Sequence, residues 1–130
     1  MGRTNKSVRA VNASPDGCAA IAETLSRIGD KWTVLVIANL SGGEPTRYSG
    51  LRRSIDGISQ RMLTLTLKGL ERDGLVTRTV YPTIPPRVEY ELTALGRKLV
   101  EPLSALYDWA VEHRPDMLAA RKKFEARRTE

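Results

Sequence analysis

Ile58-Ser59-Gln60-Arg61-Met62-Leu63-Thr64-Leu65-Thr66-Leu67-Lys68-Gly69-Leu70-Glu71-Arg72-Asp73-Gly74 is the stretch on which the fold turns, and two periods compete inside it. Leu63, Leu65 and Leu67 alternate with Thr64 and Thr66, the pattern of a half-buried strand. Leu63, Leu67 and Leu70 also recur at helical spacing, with Ser59 placed to cap the first turn and Gly74 to end the last. Residues 68–73 decide for the helix, because they carry that pattern through Leu70 and offer no turn before Gly74. With the leucines inward, Ser59, Gln60, Arg61, Thr64 and Lys68 lie at the start and on one outer face.

Downstream, residues 75–81 alternate with β-branched side chains, and residues 87–92 set Val88, Tyr90 and Leu92 against Arg87, Glu89 and Glu91. These read as two strands. Residues 82–86 join them and hold three prolines, which cannot donate to a sheet ladder, so the join is a stiff hairpin loop. Thr93 then caps a long helix with Leu95, Leu99, Leu103, Leu106 and Ala110 on one stripe, running to about His113. Pro102 should bend it near residues 98–102, and Pro115 should interrupt it before a last charged helix or tail over residues 115–130.

Upstream, Ser14-Pro15 offers a cap and a first-turn proline ahead of Cys18, Ile21, Ala22, Leu25 and Ile28, with Gly29 as the stop. Asp30 can cap a second helix up to Leu40; a buried strand competes over residues 32–40, but the length favours a helix. Ser49 is placed to cap a short third helix through Leu51 to Ile55, closed by Asp56-Gly57. Residues 1–13 are polar, basic and without period, a flexible arm.

At 130 residues with 41% hydrophobic and 28% charged, the chain fits one domain, residues 14–114, with the arm before it and the charged segment after it. One cysteine, Cys18, excludes an intrachain disulfide, and with His113 as the one histidine the ligands for a structural zinc site are lacking, so no metal is expected. The longest uncharged run is the 12 residues from 32 to 43, against about 20 needed to cross a bilayer. The first dozen residues have no apolar stretch behind their basic groups, so a cytoplasmic location is expected. There is no Ser/His/Asp grouping and no phosphate-binding glycine loop, which argues against an enzyme, and no cofactor is implied.

The net charge of +6 favours an anionic partner, and its distribution says where. Residues 47–87 hold eight basic groups against three acidic ones, whereas residues 18–46 and 88–114 are each slightly acidic. Helices, a strand pair with an extended loop and one long final helix describe a mainly α fold with a small β-hairpin wing. This is a winged helix-turn-helix with a long C-terminal dimerisation helix. In that geometry the helix before the hairpin enters the major groove of double-stranded DNA and the hairpin reaches the neighbouring backbone. The basic block covers those parts.

The sequence also resembles the HxlR-type winged-helix transcriptional regulators, relatives of the MarR group. The likeness is carried by Cys18, Ile28-Gly29-Asp30-Lys31-Trp32-Thr33, Arg47-Tyr48 with Leu51, and Gly57-Ile58-Ser59-Gln60-Arg61-Met62-Leu63-Thr64. It continues in Leu67, Leu70-Glu71-Arg72-Asp73-Gly74-Leu75-Val76, Pro85-Pro86-Arg87-Val88-Glu89-Tyr90, Leu92-Thr93-Ala94-Leu95-Gly96 and Trp109. The resemblance implies a homodimer on a palindromic operator, with the first and last helices at the subunit interface. Ile21, Leu25, Leu99, Leu103, Leu106 and Trp109 are the expected interface residues. Leu65 departs from the pattern, standing where members often carry a polar side chain, and is suited to a thymine methyl instead.

The expected DNA contacts are Ser59, Gln60, Arg61, Thr64 and Lys68, with Arg78 and Arg87 flanking the wing loop. Gln60 can read adenine and Arg61 guanine, and Ser59 can hold a phosphate. Arg78 and Arg87 have a competing role in cross-strand pairs with Glu89 or Glu91. Arg52 and Arg53 are further candidates for the DNA backbone. Cys18 has two readings, a redox sensor, as in some members of the resembled family, or a packed thiol beside Ile21 and Leu25. A dimeric regulator, repressing by occupying a promoter and responding to an oxidant or small ligand, is the leading function. A winged helix for protein or RNA contacts without a specific operator is the alternative.

Overall fold

Local capping sets the first two helices. A computed structural model describes residues 14–128 of the chain, and in it the Ser14 hydroxyl accepts from the Gly17 amide at 3.1 Å to start α1 (Pro15–Ile28). Asp30 starts α2 (Lys31–Leu40), accepting from the Thr33 amide with one carboxylate oxygen and from the Thr33 hydroxyl with the other, both at 2.9 Å. Because α2 is a helix and not a strand, Thr33, Val36, Ile37 and Leu40 fall on a single buried stripe. We expect Asp30→Ala to lower stability by about 1–2 kcal/mol, since it removes a cap and frees a buried hydroxyl. Urea melts should show a lower midpoint at unchanged slope.

The chain then forms β1 (Thr46–Arg47), α3 (Tyr48–Ser54), α4 (Gln60–Arg72), β2 (Val76–Tyr81), β3 (Arg87–Leu92) and α5 (Ala94–Arg128). The three strands make one antiparallel sheet in the order β1-β3-β2. β1 was not visible in the sequence, and it changes the start of α3. Arg47, held extended opposite Glu89, is itself the N-cap residue and makes no side-chain cap bond, so Ser49 lies inside the helix and does not cap it.

α4 carries the leucine pattern inward: Leu63 is fully buried, and Leu67 and Leu70 nearly so. They meet Val36, Ile37 and Leu40 of α2, Leu51 of α3, Ile55 and Ile58 of the connecting turn, and Val76, Tyr90 and Leu92 of the sheet. α4 ends with the Leu75 amide bonding the Leu70 carbonyl at 2.9 Å and the Gly74 amide bonding the Glu71 carbonyl at 3.0 Å. This paired closure needs a left-handed residue, and Gly74 supplies it with φ +78°.

α5 is one helix of 35 residues, about 50 Å at 1.5 Å per residue. The expected interruption at Pro115 does not occur. Both Pro102 and Pro115 sit at exposed positions, where water can satisfy the carbonyls left without a donor four residues back. Leu99 and Leu103 pack in part on the chain's own core, while Leu106 and Trp109 remain exposed.

α1 removes one of the two readings of Cys18, that of a thiol packed within the chain. Of its apolar stripe only Ile28 is buried; Ile21 and Leu25 are more than half exposed, and Cys18 is exposed rather than packed within the chain. The expected arm over residues 1–13 lies outside the described residues. Among the described residues no helix is long and apolar enough to cross a membrane, and no group of three metal-ligating side chains comes together.

Candidate nucleic-acid interface

α3 and α4 form the helix-turn-helix. The turn between them is anchored by buried Ile55 and Ile58 and reversed at Gly57, whose φ is +84°. Ser59 caps α4, its hydroxyl accepting from the Met62 amide at 3.0 Å. That role leaves its own proton available to an acceptor such as phosphate. Gln60, Arg61, Thr64 and Lys68 are all exposed, as is Leu65, while the opposite face of α4 is in the core. The outer row therefore sits on a rigid platform.

A cleft of about 640 Å³ separates this row from the wing. Thr64 and Lys68 line one side, and Arg78, Arg87 and Tyr90 the other, so four of the expected contact residues share it. Arg47, Tyr48 and Ser49 also line it, together with Glu71, Pro86 and Val88, and were not among the expected site residues. Arg47 and Tyr48 entered the sequence reading as carriers of the family likeness and Ser49 as a helix cap; without β1 nothing placed them beside the wing. Arg52 and Arg53 border a neighbouring depression with Gln60. Ser59, Gln60 and Arg61 do not line the main cleft; they lie toward the N-terminal end of α4.

The two wing arginines differ. Arg87 Nε lies 3.2 Å from Glu89 Oε2, and its guanidinium carbon stands 4.4 Å from the centre of the Tyr81 ring. The pairing is along one strand, between residues two apart on one face, and not across strands. It is an ion pair without hydrogen-bond geometry, since Nε is buried and makes no hydrogen bond. Arg78, opposite Tyr90 on the other face, has no carboxylate partner among the described residues. Burial pushes the Tyr90 phenol above its ordinary value, with the adjacent Arg78 opposing the shift. The phenol stays neutral, and the Arg78 charge is not cancelled.

Tyr48 ties the two helices together. Its hydroxyl donates to the Gln60 carbonyl at 3.0 Å and lies 2.9 Å from the Thr64 hydroxyl, while its ring meets Tyr90 at 6.5 Å between centres.

The family profile described as HxlR-like helix-turn-helix matches residues 27–117, which span every element of this surface. The uncharacterized HTH-type transcriptional regulator YtfH of Escherichia coli strain K12 is 43% identical over 99 residues, 76% of this chain and 78% of that one. Among solved structures, the YtfH protein from Salmonella typhimurium superposes with a TM-score of 0.71 at 40% identity, covering 78% of this chain and 90% of that one. The redox regulator HypR in its reduced form also gives 0.71, at 38% identity over 77% of this chain and 98% of that one. An exposed helix in a basic surface, a wing beside it and these likenesses lead to one conclusion: the chain belongs to the HxlR-like helix-turn-helix family and is a transcriptional regulator with a DNA-binding fold.

Proposed function

We propose that the protein is a sequence-specific repressor that binds a palindromic operator as a homodimer. The observation that carries this reading is the outer row of α4, exposed along its length and backed by a fully buried leucine face. α4 lies in the major groove, with Gln60, Arg61 and Thr64 at base edges and Ser59 and Lys68 toward phosphates. Arg78 is the stronger wing contact, because the charge of Arg87 is already met by Glu89. Arg47 adds a cation to the cleft, and Glu71 sets a limit on how deeply a phosphate enters it. Ile21 and Leu25 on α1, with Leu106 and Trp109 on α5, supply the apolar surface for the second subunit, to which the half-buried Leu99 and Leu103 contribute their remaining area.

An oxidant response through Cys18 belongs to the same reading. The thiol is exposed in the first turn of α1, and a similar structure is that of a regulator named for redox control. With one cysteine per chain, the oxidised product is a disulfide to the second subunit or to a small thiol, both thiols giving up their protons and one electron each to the oxidant. The protein works where the DNA is, in the cytoplasm.

Selection of sheared genomic DNA by the reduced protein at physiological salt tests the reading. Promoter fragments sharing an inverted repeat, with half-site centres about one helical turn apart, are expected. Recovery without an enriched sequence supports a winged helix without an operator instead. On the selected site, Lys68→Ala should weaken specific and nonspecific binding alike and lower the salt slope by about one. Arg61→Ala should cost about 10- to 100-fold on the operator and much less on random DNA.

A further inference from the structure

Proton bookkeeping around Tyr48 assigns a direction to one contact in the DNA surface. A tyrosine hydroxyl has one proton, and Tyr48 gives it to the Gln60 carbonyl at 3.0 Å. The hydroxyls of Tyr48 and Thr64 are 2.9 Å apart and either could donate; the two Tyr48 contacts are hydrogen bonds at once only with Thr64 as the donor. The single proton of Thr64 is thereby engaged inside the protein, and what this exposed side chain offers outward is lone pairs alone. The arrangement is held firmly, because Tyr48 packs partly on the core and its ring rests against buried Tyr90.

We propose that Thr64 is an acceptor-only reader of bases, and that Tyr48 is the positioning residue that makes it so. Phosphate oxygens are acceptors and are of no use to such a group. In the major groove the donors are the amino groups of adenine N6 and cytosine N4, whereas thymine offers only O4 and guanine only N7 and O6. Thr64 therefore favours an amino-bearing base over a keto-bearing one at one position of each half-site. Ser59 differs from it: its hydroxyl accepts from the Met62 amide and keeps its proton, which suits a phosphate. The inference rests on the reading of α4 as the base-contacting helix of a specific operator binder.

The test is selection from randomised duplexes by the full chain, followed by titration of the four single-base variants of the selected site. Wild type should prefer adenine or cytosine over guanine or thymine at one position by about tenfold. Thr64→Val, close in shape but without a hydroxyl, should reduce that preference to about twofold or less and leave the other positions unchanged, and Thr64→Ser should keep it. Tyr48→Phe frees the Thr64 proton, so the same position should accept keto bases as well, with the melting temperature measured alongside. A preference that survives in Thr64→Val, or one for thymine through the methyl group, overturns the assignment to the Thr64 hydroxyl. A preference unaltered in folded Tyr48→Phe overturns the role of Tyr48. If wild type enriches no sequence at all, the operator reading fails and this inference falls with it; an enriched motif indifferent to all three variants sinks the inference alone.

Discussion

Gly96→Ala should destabilise the protein by at least about 2 kcal/mol, although alanine is the better helix former by about 1 kcal/mol. Gly96 is the buried third residue of α5, and its amide donates to the Thr93 hydroxyl at 3.0 Å. A Cβ there would run into the Leu75 carbonyl oxygen and lie 3.1 Å from both the Leu75 carbonyl carbon and Leu92 Cδ2. None of these can move cheaply. Leu75 follows the closing turn of α4 and accepts from the Thr93 amide at 3.0 Å, and Leu92 is 1% exposed in the core. Relief requires lifting α5 from the root of the wing, which breaks the Thr93 contacts to Leu75 and to the Gly74 carbonyl. Gly69→Ala on α4 is the matched control, because apart from the adjoining backbone of its own helix no atom lies within 4 Å of the Cβ it adds; it should stabilise by up to about 1 kcal/mol. Paired denaturant melts should therefore move in opposite directions. A Gly96→Ala protein as stable as wild type would mean that α5 is not seated on Leu75.

What was legible in the sequence was what is local. The caps at Ser14, Asp30, Ser59 and Thr93 each reach three residues forward, and all four form. The leucines of residues 58–74 resolved into a helix because the pattern continued past the threonines, and β3 was bounded to the residue by its alternation. Nonlocal pairing was not legible. Two residues, Thr46 and Arg47, are too few to show a period, and their strand exists only because Tyr90 and Glu89 lie opposite. The cleft suffered for the same reason, since Arg47 and Tyr48 join it through that strand, and the bond from Tyr48 to Thr64 spans 16 residues. Cys18, Ile21 and Leu25 show a different limit. An amphipathic stripe states that a face needs cover, not that its own chain provides it. Pro115 shows the converse, for a helix already formed on both sides carries an exposed proline at the loss of one donor.

The uncovered stripe leads to the other large effect. Leu25→Glu/Leu106→Glu should convert the proposed homodimer to a monomer and lower affinity for the proposed operator at least about 100-fold. In a single chain the change is mild, since Leu25 is 56% and Leu106 60% exposed and neither belongs to the core; surface substitutions of that kind shift stability by about 0.5 kcal/mol or less. In a dimer joined through α1 and α5 both positions are covered, and each subunit brings two carboxylates into an apolar interface where no partner charge awaits them. Trp109, one turn on from Leu106 and half exposed, extends the same apolar face. The loss on DNA follows from geometry: a dimer docks its second half-site at high effective concentration once the first is bound, and a monomer forfeits that gain. Wild type should therefore run at twice the chain mass of 14.4 kDa in light scattering, and the variant at that mass. Random-sequence DNA, held by charge alone, should discriminate far less between them. A variant that folds, stays dimeric at micromolar concentration and keeps its operator would place the subunit interface away from α1 and α5. A wild type that is already monomeric would remove the homodimer altogether.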